Sequence, residues 1–199
     1  MLAAGESARL GRPKQLLLYK ERTLLQHGVQ VAIDTRKKPV IAVLGANADL
    51  LLREIGDKGV QAVINYKWNE GVASSIRTGL GKLLEIAPGV DMVIIMVCDQ
   101  PFVTVKLLED LVTKHEETGK PIIASSYENS MGTPALFDKT IFALLLALKG
   151  DEGAKRIMKL NPDWVDIVNF PLGNTDIDTD SDYEALVKRP PPSPPKGEG

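Results

Sequence analysis

The sequence is poor in the residues that build disulfides and zinc sites. It has one cysteine, Cys98, and two histidines among its 199 residues. A single thiol cannot form an internal disulfide, which favours a reducing compartment. So few cysteines and histidines also argue against a zinc site built from these side chains. Any metal should therefore be a hard ion held by carboxylate oxygens.

Long apolar runs are also missing, as is a charge of one dominant sign. No stretch approaches the roughly 20 apolar residues that a membrane span needs, and the N-terminus lacks the basic and apolar regions of a signal peptide. The formal net charge is -2, so no strong field points to nucleic acid or to an acidic membrane surface. We therefore expect a cytoplasmic protein without nucleic acid or membrane partners.

Strand-like and helix-like segments alternate along the chain, and 44% of its residues are hydrophobic. The apolar patterns predict strands at residues 39–44, 60–64, 91–97, 121–126 and 164–170. They predict helices at residues 48–55, 73–86, 104–116, 138–148, 152–160 and 181–188. This order indicates an α/β protein with an open, mostly parallel sheet wrapped by helices. Ligands of such sheets bind beyond the carboxyl ends of the strands.

We expect one domain over residues 1–188, followed by a tail. The tail, residues 189–199, reads RPPPSPPKGEG and has no apolar residue beyond its prolines. This composition predicts disorder. A proline-rich ligand for another protein is the alternative interpretation.

The first candidate site is the opening segment, residues 2–17, which reads LAAGESARLGRPKQLL. It has the spacing of neither a P-loop nor a dinucleotide fingerprint. Its small residues would let a ligand approach the backbone, and consecutive N–H groups could cradle an anion. Arg9 and Lys14 could then neutralise phosphate charge. A surface turn with solvated cations explains the composition equally well.

The pattern L-A-A-G-x-S-x-R-L-G-x-P-K-x-L-L resembles the opening signature of the nucleotidyltransferases, and most closely that of the molybdenum cofactor cytidylyltransferases. The resemblance implies a three-layer α/β/α, Rossmann-like nucleotidyltransferase fold. It also implies that Arg9 and Lys14 face a triphosphate. The remaining nucleotide-binding positions that it assigns in this segment are Leu2, Ala3, Ala4, Gly5 and Ser7.

Related guanylyltransferases begin with a G-G-like pair where this chain has Ala3 and Ala4. That difference favours CTP over GTP, by family analogy only. In the family, moreover, a full strand precedes this signature, whereas Met1 directly precedes Leu2 here. Either the recorded start lies downstream of the true one or the chain is damaged. We expect a shortened central strand to leave ladder groups unpaired and core surface exposed.

A second segment, residues 65–80 (NYKWNEGVASSIRTGL), resembles the family pattern N-x-x-W-x-E-G-M-x-S-S-x-x-x-G-L. The resemblance assigns Gly71, Ser74, Ser75 and Gly79 to the nucleotide. Free N–H groups and hydroxyls at a helix start could bind a base or a phosphate. A simple N-cap by Ser74 or Ser75 is the alternative.

Two aspartates are the metal candidates. Asp99 follows an apolar strand directly, where a carboxylate needs a cleft or a cation, and it lies in a C-D-Q-P element of the family. Asp178 belongs to a segment that resembles the family's D-I-D-T-P-E-D-Y element, with Asp180 in place of proline; Asp176 is a weaker candidate. Each could instead cap a turn or a helix. Residues 130–137 and 150–158 resemble family segments near the acceptor.

The implied reaction moves a CMP group from CTP to the phosphate of molybdopterin, with release of pyrophosphate. Arg9, Lys14 and Asp99 would act as catalytic residues, and Asp99 and Asp178 would hold Mg²⁺. The molybdenum cofactor would then pass to an apo-molybdoenzyme. A guanylyltransferase or a sugar-phosphate nucleotidyltransferase is one alternative. A non-catalytic carrier of the molybdenum cofactor is another.

Overall fold

The computed structural model describes residues 1–56, 59–128 and 130–188, and the expected tail lies outside these ranges. The strands are β1 (Leu2–Ala3), β2 (Leu18–Tyr19), β3 (Arg22–Thr23), β4 (Val40–Leu44), β5 (Val60–Ile64), β6 (Met92–Ile95), β7 (Ile122–Tyr127), β8 (Ser130–Asp138) and β9 (Val165–Asn169). The α-helices are α1 (Leu24–Asp34), α2 (Ala48–Ile55), α3 (Val72–Ile86), α4 (Val105–Thr118), α5 (Phe142–Ala147), α6 (Lys155–Leu160) and α7 (Asp180–Lys188).

Two ladders, β5-β4-β1 and β6-β8-β7-β9, make up the central sheet. A parallel bridge between Leu2 and Val97 joins them side by side. Leu2 N donates to Met96 O at 2.8 Å, and Cys98 N donates to Leu2 O at 3.2 Å. Only β8 runs antiparallel to its neighbours in this sheet. The expected mostly parallel sheet is therefore confirmed, with one reversed strand.

Alternating side chains on β4 show how the sheet is covered on both faces. Ile41 and Val43 pack into the core that contains residues of α3, α5 and α6. Ala42 and Leu44 pack into a second core with α1 and α2. A third cluster, on the latter side, adds apolar residues of α4 and α7. Since successive side chains of a strand point to opposite faces, the molecule has the expected three α/β/α layers.

Local capping explains several element boundaries. The Thr104 hydroxyl accepts from Leu107 N at 3.2 Å and caps the N-terminus of α4. The helix predicted over residues 138–148 begins later, at Phe142. The Asp138 carboxylate accepts from Thr140 N at 2.8 Å and stabilises a 3₁₀ turn ahead of α5.

The longest strand was not predicted from the sequence. Residues 130–137 were assigned only to the acceptor region, but they form most of the nine-residue strand β8. Gly132 and Pro134 obscure its pattern, because glycine and proline usually mark a bulge or a strand edge. The pairing with β7 does shift register between Ala124 and Ser125. The β2-β3 hairpin, which precedes α1, was likewise not predicted.

Strand β1 is short, as expected, and leaves the sheet open at its amino edge. Met1 N donates to Ile41 O at 2.7 Å, and no described residue lies between β4 and β6 beyond that point. A cavity of about 410 Å³ occupies the gap, lined by β4, β6 and side chains of α1, α3 and α4. Its lining is largely apolar, as a sheet interior should be. The described residues contain no helix that is long and apolar enough to cross a membrane.

Filling this gap should stabilise the protein. An extension of about five alternating valine and isoleucine residues ahead of Met1 would continue β1 into the cavity, since a strand rises about 3.3 Å per residue. Burial of about 1.5–3 kcal/mol per side chain is offset by ordering costs of similar size, but new ladder hydrogen bonds to β4 and β6 add about 0.5–1.5 kcal/mol each, so we expect a net gain of about 2 kcal/mol. At about 2–4 °C per kcal/mol for a chain of this length, thermal unfolding should occur several degrees higher. A Gly/Ser extension of equal length is the control, and an equal rise with both extensions would contradict the prediction.

Candidate nucleotide and metal site

The site lies at the carboxyl edge of the central strands, where three distant segments meet. The loop of residues 4–14 follows β1, and Asp99 follows β6 and the bridge at Val97. The loop of residues 170–179 follows the outer strand β9. Because β1 and β6 are parallel neighbours, their following loops emerge at the same edge. This is the place where open α/β sheets bind ligands.

A four-residue charge cluster, formed by Arg9, Lys14, Asp99 and Asp178, occupies this edge. Lys14 Nζ donates to Asp99 Oδ2 and, at 3.0 Å, to Asp178 Oδ1. Arg9 Nη2 donates to the other oxygen of Asp178 at 2.6 Å. The side chains of Lys14 and Asp99 are only 16% exposed, whereas Arg9 is 70% exposed. The predicted catalytic and metal-binding residues therefore lie together, with Lys14 at their centre.

Electrostatics favour the ionised forms of Lys14 and Asp178. Burial would lower the pKa of Lys14, but the charges and hydrogen bonds of Asp99 and Asp178 outweigh it and raise that pKa. Burial would raise the pKa of Asp178, but Lys14 and Arg9 outweigh it and hold that pKa below its usual value. The contacts are thus charge-assisted hydrogen bonds between a cation and anions.

One carboxylate oxygen of the cluster has no partner within the described part of the chain. Asp99 Oδ1 is buried and has no hydrogen-bond partner among the described residues. A buried carboxylate oxygen without a partner is costly, and a divalent cation would satisfy it. No group of three or more His, Cys, Asp or Glu side chains in residues 1–56, 59–128 and 130–188 could hold a metal. Two carboxylates are nevertheless enough for Mg²⁺, which commonly takes its other ligands from water and substrate phosphates.

The loop that carries the cations is held by a residue that the sequence did not reveal. Gln15 is fully buried, at 0% exposed. Its Nε2 donates to Ala3 O at 3.0 Å and to Gly5 O at 2.8 Å. Lys14 N donates to Ser7 Oγ at 3.0 Å. Gln15 and Ser7 therefore hold the loop from within, and Gln15 could have been suspected only as a polar residue within an apolar run.

The backbone at the start of this loop is open. Gly5 is exposed, and a Cβ atom placed on it would meet nothing within 4 Å. The amides of Gly5 and Glu6 donate to no acceptor among the described residues. Neighbouring free N–H groups next to cationic side chains form a suitable anion site. Leu2, Ala3 and Ala4, by contrast, lie in or next to β1, and the two alanines are buried.

The second predicted segment has an internal role. Asn65 Nδ2 donates to Ser74 Oγ at 2.8 Å and to Ser75 Oγ at 3.1 Å, and both serines are buried. A Cβ on Gly71 would lie 2.4 Å from Gly150 O, and one on Gly79 would lie 2.7 Å from the side chain of Val43. These contacts explain the small residues by packing. A direct nucleotide contact at Gly71, Ser74, Ser75 and Gly79 stays a prediction.

Gln100, the residue that follows Asp99, connects three segments of the site. Gln100 is buried, and its Nε2 donates to Gly173 O at 2.8 Å. Its Oε1 accepts from Thr133 Oγ1 at 3.3 Å. Gln100 thus links the Asp99 segment to β8 and to the loop that carries Asp178.

Cys98, on the other side of Asp99, is buried. Burial, and secondarily the charge of Asp99, raise the pKa of the Cys98 thiol to about 12. A thiol with so high a pKa stays protonated at neutral pH and is a poor nucleophile.

Asp176 is the one acid near the cluster that lacks a hydrogen-bond partner among the described residues. Its surface is partly open to solvent. Even so, burial, and then the charges of Asp99 and Asp178, raise the pKa of Asp176 to about 6. The loop thus brings a third carboxylate into the field of the other two.

Together, the three-layer fold and the cation–carboxylate cluster at its carboxyl edge define an α/β protein whose candidate site suits a phosphorylated ligand. Comparison with known proteins shows its family. The family model of the MobA-like NTP transferase domain matches residues 1–166, so the chain belongs to this nucleotidyltransferase family.

Its relatives carry different names. The chain is 29% identical to nicotine blue oxidoreductase of Paenarthrobacter nicotinovorans, over 91% of this chain and 90% of that protein. It is 28% identical to purine catabolism protein PucB of Bacillus subtilis (strain 168), over 94% of each. Among solved structures, Rv0371c of Mycobacterium tuberculosis H37Rv in complex with manganese is 26% identical, with a TM-score of 0.79 over 95% of this chain and 96% of that chain.

Removing the amide of Gln15 should loosen the loop. Gln15→Met keeps the volume but leaves the Ala3 and Gly5 carbonyls without their donor. A buried group that loses its partner costs about 1–3 kcal/mol, so the free energy of unfolding in urea should fall by about that amount. Gln61→Met, on exposed β5, is the matched control and should change it by no more than about 0.5 kcal/mol. Equal losses in the two variants would contradict the assigned role.

Asp176 should give the stability a measurable pH dependence. Its pKa is about 6 in the folded state, against 3.8 ordinarily, so between these values the folded state binds more protons than the unfolded state. Its contribution to stability is then full below the ordinary pKa and is lost as the pH rises through 6. Urea unfolding of metal-free protein should show the stability of Asp176→Asn rising relative to wild type from about pH 4 to 7. A pH-independent difference would contradict the shifted pKa.

Proposed function

We propose that the protein transfers a CMP group from CTP to the phosphate of the molybdenum cofactor, with release of pyrophosphate. One observation carries the proposal: Lys14 Nζ lies between Asp99 and Asp178, beside a loop whose amides are open. Cations and free amides suit a triphosphate. Paired carboxylates suit the divalent ion that accompanies it.

The triphosphate would bind along the loop of residues 4–14. Arg9, which is 70% exposed, can reach a phosphate with its planar fork, and Lys14 supplies a point charge. The amides of Gly5 and Glu6 would add neutral donors. Gln15 holds the start of the loop from the core side, because it donates to the carbonyls of Ala3 in β1 and Gly5 in the loop.

The residues fit a divalent metal, and Asp99 and Asp178 would hold Mg²⁺. The unpartnered Asp99 Oδ1 supplies a buried oxygen that needs a cation. The manganese complex of the relative Rv0371c supports a divalent ion in this family. When bound, Mg²⁺ would orient the α-phosphate and offset its developing negative charge.

In the reaction, an oxygen of the acceptor phosphate forms a bond to the α-phosphorus of the nucleotide. The bond between that phosphorus and the pyrophosphate oxygen breaks, and pyrophosphate leaves with the electron pair. The attacking oxygen is already ionised at neutral pH, so no strong general base is needed. The chain contributes position and charge: Lys14 and Arg9 stabilise the departing pyrophosphate, and the rigid loop aligns the α-phosphate.

The choice of CTP and of the acceptor rests on sequence resemblance. Ala3 and Ala4 replace the G-G-like pair of guanylyltransferases, and both are buried. A Cβ on Gly45 would come within 2.8 Å of the Ala4 Cβ, so this corner is tightly packed and side-chain size matters there. The relatives' names include an oxidoreductase and a purine catabolism protein. Family membership therefore leaves the acceptor to experiment. An apo-molybdoenzyme would be the proposed recipient of the product.

The proposal predicts nucleotide-dependent pyrophosphate release. With Mg²⁺ and molybdenum cofactor, CTP should yield pyrophosphate faster than GTP. Asp99→Asn should reduce the rate by about a hundredfold or more, as loss of a transition-state contact does. Asp110→Asn, an exposed change on α4, is the matched control and should retain the wild-type rate.

The alternatives give different results in this assay. Equal or faster release with GTP would refute the Ala3–Ala4 argument and favour a guanylyltransferase. Pyrophosphate release that depends on a sugar phosphate, and not on molybdenum cofactor, would identify the sugar phosphate as the acceptor. Binding of molybdenum cofactor without release from any nucleotide, by folded protein, would identify a carrier and refute the transferase proposal.

A further inference from the structure

Both proposed metal ligands form ion pairs with cationic side chains of the protein itself. Lys14 Nζ bonds one oxygen of Asp99 and one of Asp178, and Arg9 takes the remaining oxygen of Asp178. These are the ion pairs that Asp99 and Asp178 make among the described residues. The two negative charges are therefore matched by two positive charges before any ligand arrives.

We propose that Lys14 is an internal substitute for the metal: its ammonium holds the two carboxylates together until the ion and the nucleotide displace it as a pair. This inference rests on the proposed function and deepens it. It makes Lys14 a competitor of the metal when no nucleotide is bound. The same residue becomes a partner of the metal once the phosphates are present.

The geometry allows the side chain of Lys14 to move while its backbone stays in place. The Lys14 backbone is fixed, because its N–H donates to Ser7 Oγ at 3.0 Å and its carbonyl accepts from Leu17 N at 3.0 Å. The four-carbon stem is flexible and can move its charge.

An ion shared by the two carboxylates could use Asp99 Oδ1, which has no partner among the described residues. The oxygens of Asp178 are both held, Oδ1 by Lys14 and Oδ2 by Arg9. An ion that took Asp178 Oδ1 would therefore force Lys14 Nζ to leave. The exposed loop with its open amides lies in the same segment as Lys14, and a phosphate bound on those amides could accept from the displaced ammonium.

Charge balance explains why ion and nucleotide should arrive together. A divalent ion alone would add two positive charges to a cluster of four residues whose charges already cancel, and the neighbouring carboxylate of Asp176 would offset only part of them. Like charges at short range repel in a partly buried site. A nucleotide triphosphate brings enough negative charge to compensate both the ion and the released ammonium. Binding of the ion and binding of the nucleotide should therefore be positively coupled. Arg9 should matter less, because it is 70% exposed and solvent screens its charge.

The test measures binding of Mn²⁺ alone, without nucleotide, by electron paramagnetic resonance. Lys14→Gln should bind Mn²⁺ at least about fivefold more tightly than wild type, in the range of typical coupling between sites. Lys14→Arg keeps the charge and should stay as weak as wild type. Lys106→Gln, an exposed change on α4, is the matched control and should have no effect. Adding Asp99→Asn to the Lys14→Gln variant should abolish its tight Mn²⁺ binding. This result would show that the ion binds at Asp99.

A second measurement needs only wild-type protein, in case Lys14→Gln does not fold. Acetylation of Lys14 by acetic anhydride, read by mass spectrometry relative to Lys106, should increase severalfold at saturating Mn²⁺. The carboxylates no longer shield the displaced ammonium. Unchanged acetylation at Mn²⁺ concentrations that saturate the protein would overturn the inference.

The two proposals fail in different ways. Unchanged, weaker or absent Mn²⁺ binding in folded Lys14→Gln would overturn the role of Lys14 as a substitute for the metal. If pyrophosphate release from CTP persists in wild type, the transferase proposal survives that result. Tighter Mn²⁺ binding in Lys14→Gln supports the inference even for a protein that releases no pyrophosphate.

Discussion

The shared ammonium of Lys14 is the interaction on which the site depends. It lies between a carboxylate from the middle of the chain and another from its C-terminal part, Asp99 and Asp178. Without a cation at this point, two carboxylates would face each other in a partly buried edge, and one carries an oxygen with no partner. Repulsion of that kind is costly in a low dielectric. A cation there is therefore a structural requirement before it is a functional one.

The sheet topology explains how such distant residues meet. Leu2 bonds Met96 and Cys98 in one direction and pairs with Val43 in the other. Two residues of β1 thus join both halves of the sheet and deliver the loop of residues 4–14 next to Asp99. Gln15 and Gln100 then fix this arrangement from inside, each by bonding backbone carbonyls or a hydroxyl across segments. Buried amides suit this task, because they are polar without a charge that would need compensation.

Much of the fold and part of the site could be predicted from the sequence. The apolar runs at residues 39–44 and 60–64 and the periodicity at residues 73–86 located β4, β5 and α3, since periodicity is a local signal. The charged residues Lys14, Asp99 and Asp178 were found through motif resemblance, and the structure places them together. Strand β8 was missed because its glycine and proline obscure the pattern. The role of Gln15 was missed because its partners are carbonyls, which leave no trace in a sequence.

The two ends of β1 have opposite consequences for the protein. At the amino edge, no strand of the described residues lies between β4 and β6, and a cavity of about 410 Å³ is found there. At the carboxyl edge, Leu2 and Ala3 keep their ladder on β4, and the bridge to Val97 is intact. The charge cluster depends on the second edge alone, because Arg9, Lys14 and Asp99 all follow residues that are paired there. The residues of the site therefore follow the paired end of β1, and the open end lies at the opposite edge of the sheet.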